Sequence, residues 1–191
     1  TFNHNSGKNT EPYYLKKFVE IHGNQLVTIE PVGAAGVPKT IVDKAVLKKK
    51  ELVKAARKTG DPLDKSFEVW AVFDCDEHPY IPESFEKAKG NNLKVAYSNP
   101  CFELWLYLHK SDQSAAIHRK ALGKQLQQIV PSYDPDRAKT LCPSIFTNDE
   151  YEKAKQRAQQ LKTSHDRVGA GMACPYTDVY ELLEVIIANG K

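Results

Sequence analysis

The run FEVWAVFD, residues 67–74, constrains the fold more than any other stretch of this chain. It is almost continuous in apolar and β-favouring residues, the pattern of a strand buried on both faces of a parallel sheet. Parallel strands need crossover connections, usually helices. Helical patterns do flank it. Residues 10–22 begin with Thr10, Glu11 and Pro12, which suit a helix start, and carry Leu15, Phe18, Val19 and His22 on one side before Gly23-Asn24. Residues 39–58 form a long helical pattern with Val42, Ala45, Val46, Leu52, Val53 and Ala56 on one side. A helix is predicted over 82–89. Further strands are predicted over 1–5, 26–31 and 93–97.

Strand–helix alternation of this kind predicts an α/β fold with a parallel sheet and helices on both faces. The second half differs. Residues 115–129, 149–163 and 178–188 all read as helices, joined by proline-containing loops. The chain of 191 residues fits one domain with an appended part, and its 41% hydrophobic and 27% charged residues are those of an ordinary globular protein. The expected organisation is a core over residues 1–110 and a helical C-terminal extension over 111–191, packed together as one unit.

Composition narrows the function classes. No apolar stretch is long enough to span a bilayer. The polar start TFNHNSGKNTEP is not a signal peptide. Because it opens in a strand pattern without Met, residues are expected to precede Thr1. Cys75, Cys101, Cys142 and Cys174 are too scattered for a zinc knuckle or a disulfide framework, which predicts reduced thiols and a cytoplasmic location. The net charge of +3 neither requires nor excludes a polyanion. A homo-oligomer is compatible with the sequence.

Asp74 and Asp76 end the central strand. With a period of two, both carboxylates project from one side and Cys75 from the other. Ligands of open α/β sheets gather at the carboxyl ends of strands. Two carboxylates this close repel unless a cation lies between them, so Mg²⁺ or Mn²⁺ is the expected ligand. The plain alternative is an acidic turn that ends a strand.

Glu103 stands in PCFELWLYLH, a helix over 101–109 that is apolar nearly all round and opens at Asn99-Pro100 as cap and first residue. A buried carboxylate there needs a cation or strong donors. A metal and a structural salt bridge both satisfy that need. His109 ends the same helix, where its protonated form would suit the dipole. The turn Ser6-Gly7-Lys8 precedes a helix and offers backbone N–H groups to a phosphate, although it is not a Walker A loop. Helix 39–58 carries eight cations, among them Lys48, Lys49 and Lys54, against Asp43 and Glu51. It can track a phosphate backbone or serve as a solvated face.

Four stretches together, GKNTEPYYL (7–15), VFDCDEH (72–78), AYSNPCFELWLYLH (96–109) and CPYTDVYELLE (174–184), closely resemble the RloB-like family in content, order and spacing. The resemblance implies a Toprim-like (Rossmann-like) fold, a mostly parallel sheet flanked by helices. It also implies a role in prokaryotic restriction or abortive-infection loci, often beside an ATPase partner. In Toprim enzymes an acid after the first strand and a DxD pair hold Mg²⁺ for phosphodiester chemistry. Asp74 and Asp76 match the pair. Ser6 stands where many relatives carry Glu, and a hydroxyl is no carboxylate ligand. Glu103 or Glu11 would then supply the missing acid, with Glu103 favoured by its burial.

The expected function is a Mg²⁺- or Mn²⁺-dependent nuclease acting on DNA or RNA. Asp74, Asp76 and Glu103 would bind metal, Lys8 would contact phosphate, and His109 or Lys139 would assist proton transfer or neutralise charge. The rival is a degenerate Toprim module that binds nucleic acid or an ATPase without cutting, which Ser6 favours. A haloacid-dehalogenase-type phosphatase fits less well, because Glu77 and His78 follow the DxD and two strands precede it.

Overall fold

The computed structural model describes residues 10–23, 27–30, 37–60, 67–75, 80–134, 141 and 143–190. The expected strand over 1–5 lies outside them, as do Ser6, Gly7, Lys8, Asp76 and Lys139.

Helix α1 (Thr10–His22) buries Tyr14, Leu15 and Phe18, and α2 (Pro38–Thr59) buries Val42, Val46 and Ala56. Strand β1 (Trp70–Asp74) is followed by α3 (Ile81–Gly90), β2 (Lys94–Asn99) and the short α4 (Glu103–Leu108). Then come α5 (Arg119–Ile129), a 3₁₀ turn (Pro143–Phe146), α6 (Asn148–Val168), β3 (Tyr176–Thr177) and α7 (Val179–Asn189).

The sheet of the described residues has three strands in the order β1-β2-β3. β1 and β2 are parallel, with Asp74 opposite Ser98, whereas β3 runs antiparallel to β2. The sheet is therefore mixed, and a Toprim-like topology does not follow from it. Residues 27–30 form no strand, contrary to the expectation for 26–31. Their apolar alternation instead lets Val27 and Ile29 lean on the core. The C-terminal part is also not purely helical, since it supplies β3.

The period of two divides β1 between two cores. Ala71 and Phe73 pack with Val42, Val46, Ala88 and Tyr97 under α2 and α3. Trp70 and Val72 lean on the larger core formed by α1 and α4 to α7. Helices thus cover both faces, and by alternation Asp74 belongs to the larger-core side.

Helix α4 is the centre of that larger core. Leu104, Trp105, Leu106 and Leu108 are completely buried, as the apolar run predicts. The helix starts two residues later than expected. Asn99 ends β2, the Asn99–Pro100 peptide is cis, and Phe102 is the cap residue. Arg157 from α6 donates to the carbonyl of Leu108 (2.6 Å), and His109 Nδ1 contacts the carbonyl of Trp105 (2.8 Å). These two contacts serve carbonyls that so short a helix leaves without partners of its own.

The segment 174–184 locks β2 in place. Asp178 Oδ1 accepts from the Tyr97 N–H (2.6 Å), the Asp178 N–H donates to the Tyr97 carbonyl (3.1 Å), and the Ser98 and Thr177 hydroxyls meet at 2.9 Å. Gly190, just past α7, passes so close to α1 that a Cβ there would lie 1.9 Å from the His22 carbonyl oxygen. Among the described residues no helix is long and apolar enough to cross a membrane.

Candidate active site

β1 and β2 run parallel, so their carboxyl ends share one edge of the sheet. Asp74 is the last residue of β1, and Glu103 opens the helix that follows β2. Glu11, in the first turn of α1, completes the group. Glu11 feels the charges of Asp74 and Glu103, and Asp74 feels that of Glu103. Burial, then the charges of Asp74 and Glu103, push Glu11 well above the usual carboxylate range. Burial, then Glu103, raise Asp74 to about 6. Two influences oppose these shifts: the guanidinium of Arg119 lowers both acids, and the backbone N–H of Phe102 favours the ionised form of Asp74.

Glu103 is 3% exposed, and its Oε1 accepts a hydrogen bond from the Tyr133 hydroxyl at 3.0 Å. The buried thiol of Cys101 borders the same carboxylate. Burial and the Glu103 charge hold that thiol protonated, so Cys101 is no thiolate nucleophile. Cys75 and Cys174 are also free thiols.

The other predicted residues are placed differently. His109 is fully buried, with Nδ1 at the Trp105 carbonyl and Nε2 3.3 Å from the Tyr14 hydroxyl. Burial lowers its pKa to about 4, so the ring is neutral and the expected protonated helix-end role does not arise. On α2, Lys48 is paired with Glu30. Lys49 donates to the carbonyls of Asn91 (3.0 Å) and Asn92 (2.5 Å). Lys54 is exposed.

Sequence reasoning missed Arg119 and Tyr133. Arg119 is the first residue of α5, and Tyr133 lies just beyond that helix. Neither stands in a recognisable motif. Their only sequence signal is weak: an aromatic residue in the polar stretch VPSYDPD, and one cation among many.

The donor chemistry of the cluster suits a hard divalent cation, since all three groups are oxygen acids whose mutual repulsion such an ion would relieve. Among the described residues, however, no three His, Cys, Asp or Glu side chains stand close enough to hold a metal ion. Asp76 lies outside those residues.

No curated protein and no solved structure shows significant similarity to the chain. The family model described as RloB-like protein matches residues 5–186, nearly the whole length, and contains all of the acids just described. This chain therefore belongs to the RloB-like protein family.

Proposed function

We propose that this protein is a metal-dependent nuclease that hydrolyses phosphodiester bonds of DNA or RNA in a prokaryotic antiviral defence system. The observation that carries this reading is the placement of Asp74 and Glu103 at the carboxyl edge of the parallel strands, where their charges raise Glu11 and the charge of Arg119 lowers both Glu11 and Asp74. Asp74 and Glu103, together with Asp76, would hold Mg²⁺ or Mn²⁺, which supplies Lewis acidity and an activated water. Arg119 contributes a permanent positive charge that can meet a phosphate oxygen. Glu11 has a raised pKa and can carry a proton to a leaving oxygen. Tyr133 fixes the orientation of Glu103 through its hydrogen bond.

A second reading has its own support. Arg119 already offsets part of the carboxylate charge without a metal. A non-cutting module that binds nucleic acid or an ATPase partner is consistent with that and with Ser6. One experiment separates the two. Purified protein is incubated with plasmid, single-stranded DNA and tRNA, with Mg²⁺ or Mn²⁺, with and without a candidate ATPase partner. Cleavage by wild type that Asp74→Ala abolishes supports the nuclease. Binding without cleavage under every condition supports the module.

A further inference from the structure

Helix α2 carries two kinds of cation. Three are engaged: Lys39 lies over the Tyr80 ring at 5.7 Å, Lys48 pairs with Glu30, and Lys49 bonds the Asn91 and Asn92 carbonyls. Lys44 and the four that follow Lys49 are not. Lys50, Lys54, Arg57 and Lys58 are exposed and have no carboxylate partner among the described residues. Their spacing of four and three residues places them along one side of the helix. They line a groove of about 660 Å³ with Val46 and Val53. Like charges at this spacing destabilise a helix. The helix dipole compensates Arg57 and Lys58 in the last turn, but not Lys50 and Lys54.

The groove lies far from the acids. Lys39 reaches Tyr80, which follows the carboxyl end of β1, whereas Lys49 reaches the residues just before β2. α2 therefore runs antiparallel to the strands, and its last turns continue past their amino ends. Along the strands, Asp74 stands about 15 Å from the level of Lys49. The two sites also lie on opposite faces of the sheet, since α2 covers the Phe73 face.

The geometry points to this groove as a second nucleic-acid site, one that grips the phosphate backbone at a distance from the acid cluster. Cations repeated about every 6 Å along a helix suit a chain of regularly spaced anions better than a single ligand. A duplex advancing about 3.4 Å per base pair needs at least about five base pairs to reach both sites. The inference takes its ligand from the nucleic-acid reading above, but it does not depend on hydrolysis.

The test is binding without metal. A labelled DNA duplex, its single strand and the matching RNA are titrated in EDTA at several salt concentrations. The proteins are wild type, Lys50→Glu/Lys54→Glu/Arg57→Glu, the same three positions changed to Gln, and Lys48→Gln as a control. Both triple variants should weaken binding about 10-fold or more and flatten the salt dependence by about 2–3 in log–log slope. Lys48→Gln, whose ammonium is already paired with Glu30, should bind like wild type. Circular dichroism identifies a misfolded Glu variant, in which case the Gln variant decides. Unchanged affinity and slope in the folded triple variant overturn the second site. So does a wild type that binds poly-glutamate but none of the nucleic acids, which would make the groove a dock for an acidic protein. Loss of cleavage in Asp74→Ala with wild-type binding is a separate result that bears only on the nuclease.

Discussion

The Tyr133 hydroxyl donates to Oε1 of Glu103 across 3.0 Å, joining the loop after α5 to the first residue of α4. Both side chains are almost fully buried. A carboxylate at this depth needs donors, and Tyr133 supplies one from a residue 30 positions away in the sequence.

Tyr133→Phe removes that donor and keeps the ring. A hydrogen bond to a charged group contributes about 1.5–3 kcal/mol, and the carboxylate left behind would be under-satisfied. The variant should lose stability within that range in urea denaturation at neutral pH. A loss below about 0.5 kcal/mol would mean that water or another donor replaces the hydroxyl.

Asp74 carries the opposite sign of effect. Its pKa rises from 3.8 to about 6 on folding, so the folded state favours the protonated form. The associated stability is fully present below pH 3.8 and is lost as pH rises to about 6. In metal-free buffer, Asp74→Asn should therefore be more stable than wild type above pH 6, and the gain should disappear as pH falls below 4. Denaturation midpoints of both proteins across that range check the sign. A constant difference at all pH values would remove the electrostatic account.

His109 gives the reverse profile. Burial depresses its pKa from 6.5 to about 4, so its neutral form favours folding above pH 6.5. That stability is lost as pH falls to about 4, and amounts to about 3 kcal/mol. His109→Gln should be less stable at neutral pH and should show a shallower acid dependence than wild type. NMR titration of the imidazole, with no protonation above pH 5, is the direct measurement.

Parts of this site are legible in the sequence for physical reasons. An apolar run ending in Asp74 declares a buried strand edge, and Glu103 stands out because its helix has no polar face to hold it. Glu11 enters the reading only through its motif, because its approach to Asp74 depends on how α1 packs over the sheet. Arg119 and Tyr133 are illegible, since their places follow from α5 packing on α4 rather than from local pattern. The two residues of β3 are too short to show alternation, and only pairing with Ser98 and Asn99 makes them a strand. The basic helix was visible, but not which of its cations are engaged. Glu30 and the Asn91 and Asn92 carbonyls decide that, and they come from distant parts of the chain.

The metal proposal has a test that needs no substrate. A cation that binds only the folded state stabilises it by mass action, by about 2.7 kcal/mol at 100 times its Kd. Mg²⁺ or Mn²⁺ should therefore raise the melting temperature of wild type, and Asp74→Asn should abolish the rise while remaining folded. The third acid can be identified in the same assay. Glu103→Gln should remove the response if Glu103 is a ligand. Glu11→Gln should leave it in place if Glu11 serves only as a proton carrier, and remove it if Glu11 is the ligand instead. Ser6→Glu adds a carboxylate where the resemblance to Toprim enzymes expects one and should strengthen the response, because an added carboxylate increases affinity for a hard cation. A melting temperature that shifts equally in wild type and Asp74→Asn would place the ion elsewhere. The acids and Arg119 would then form a polar cluster complete without metal, and Asp74 would no longer be a metal ligand.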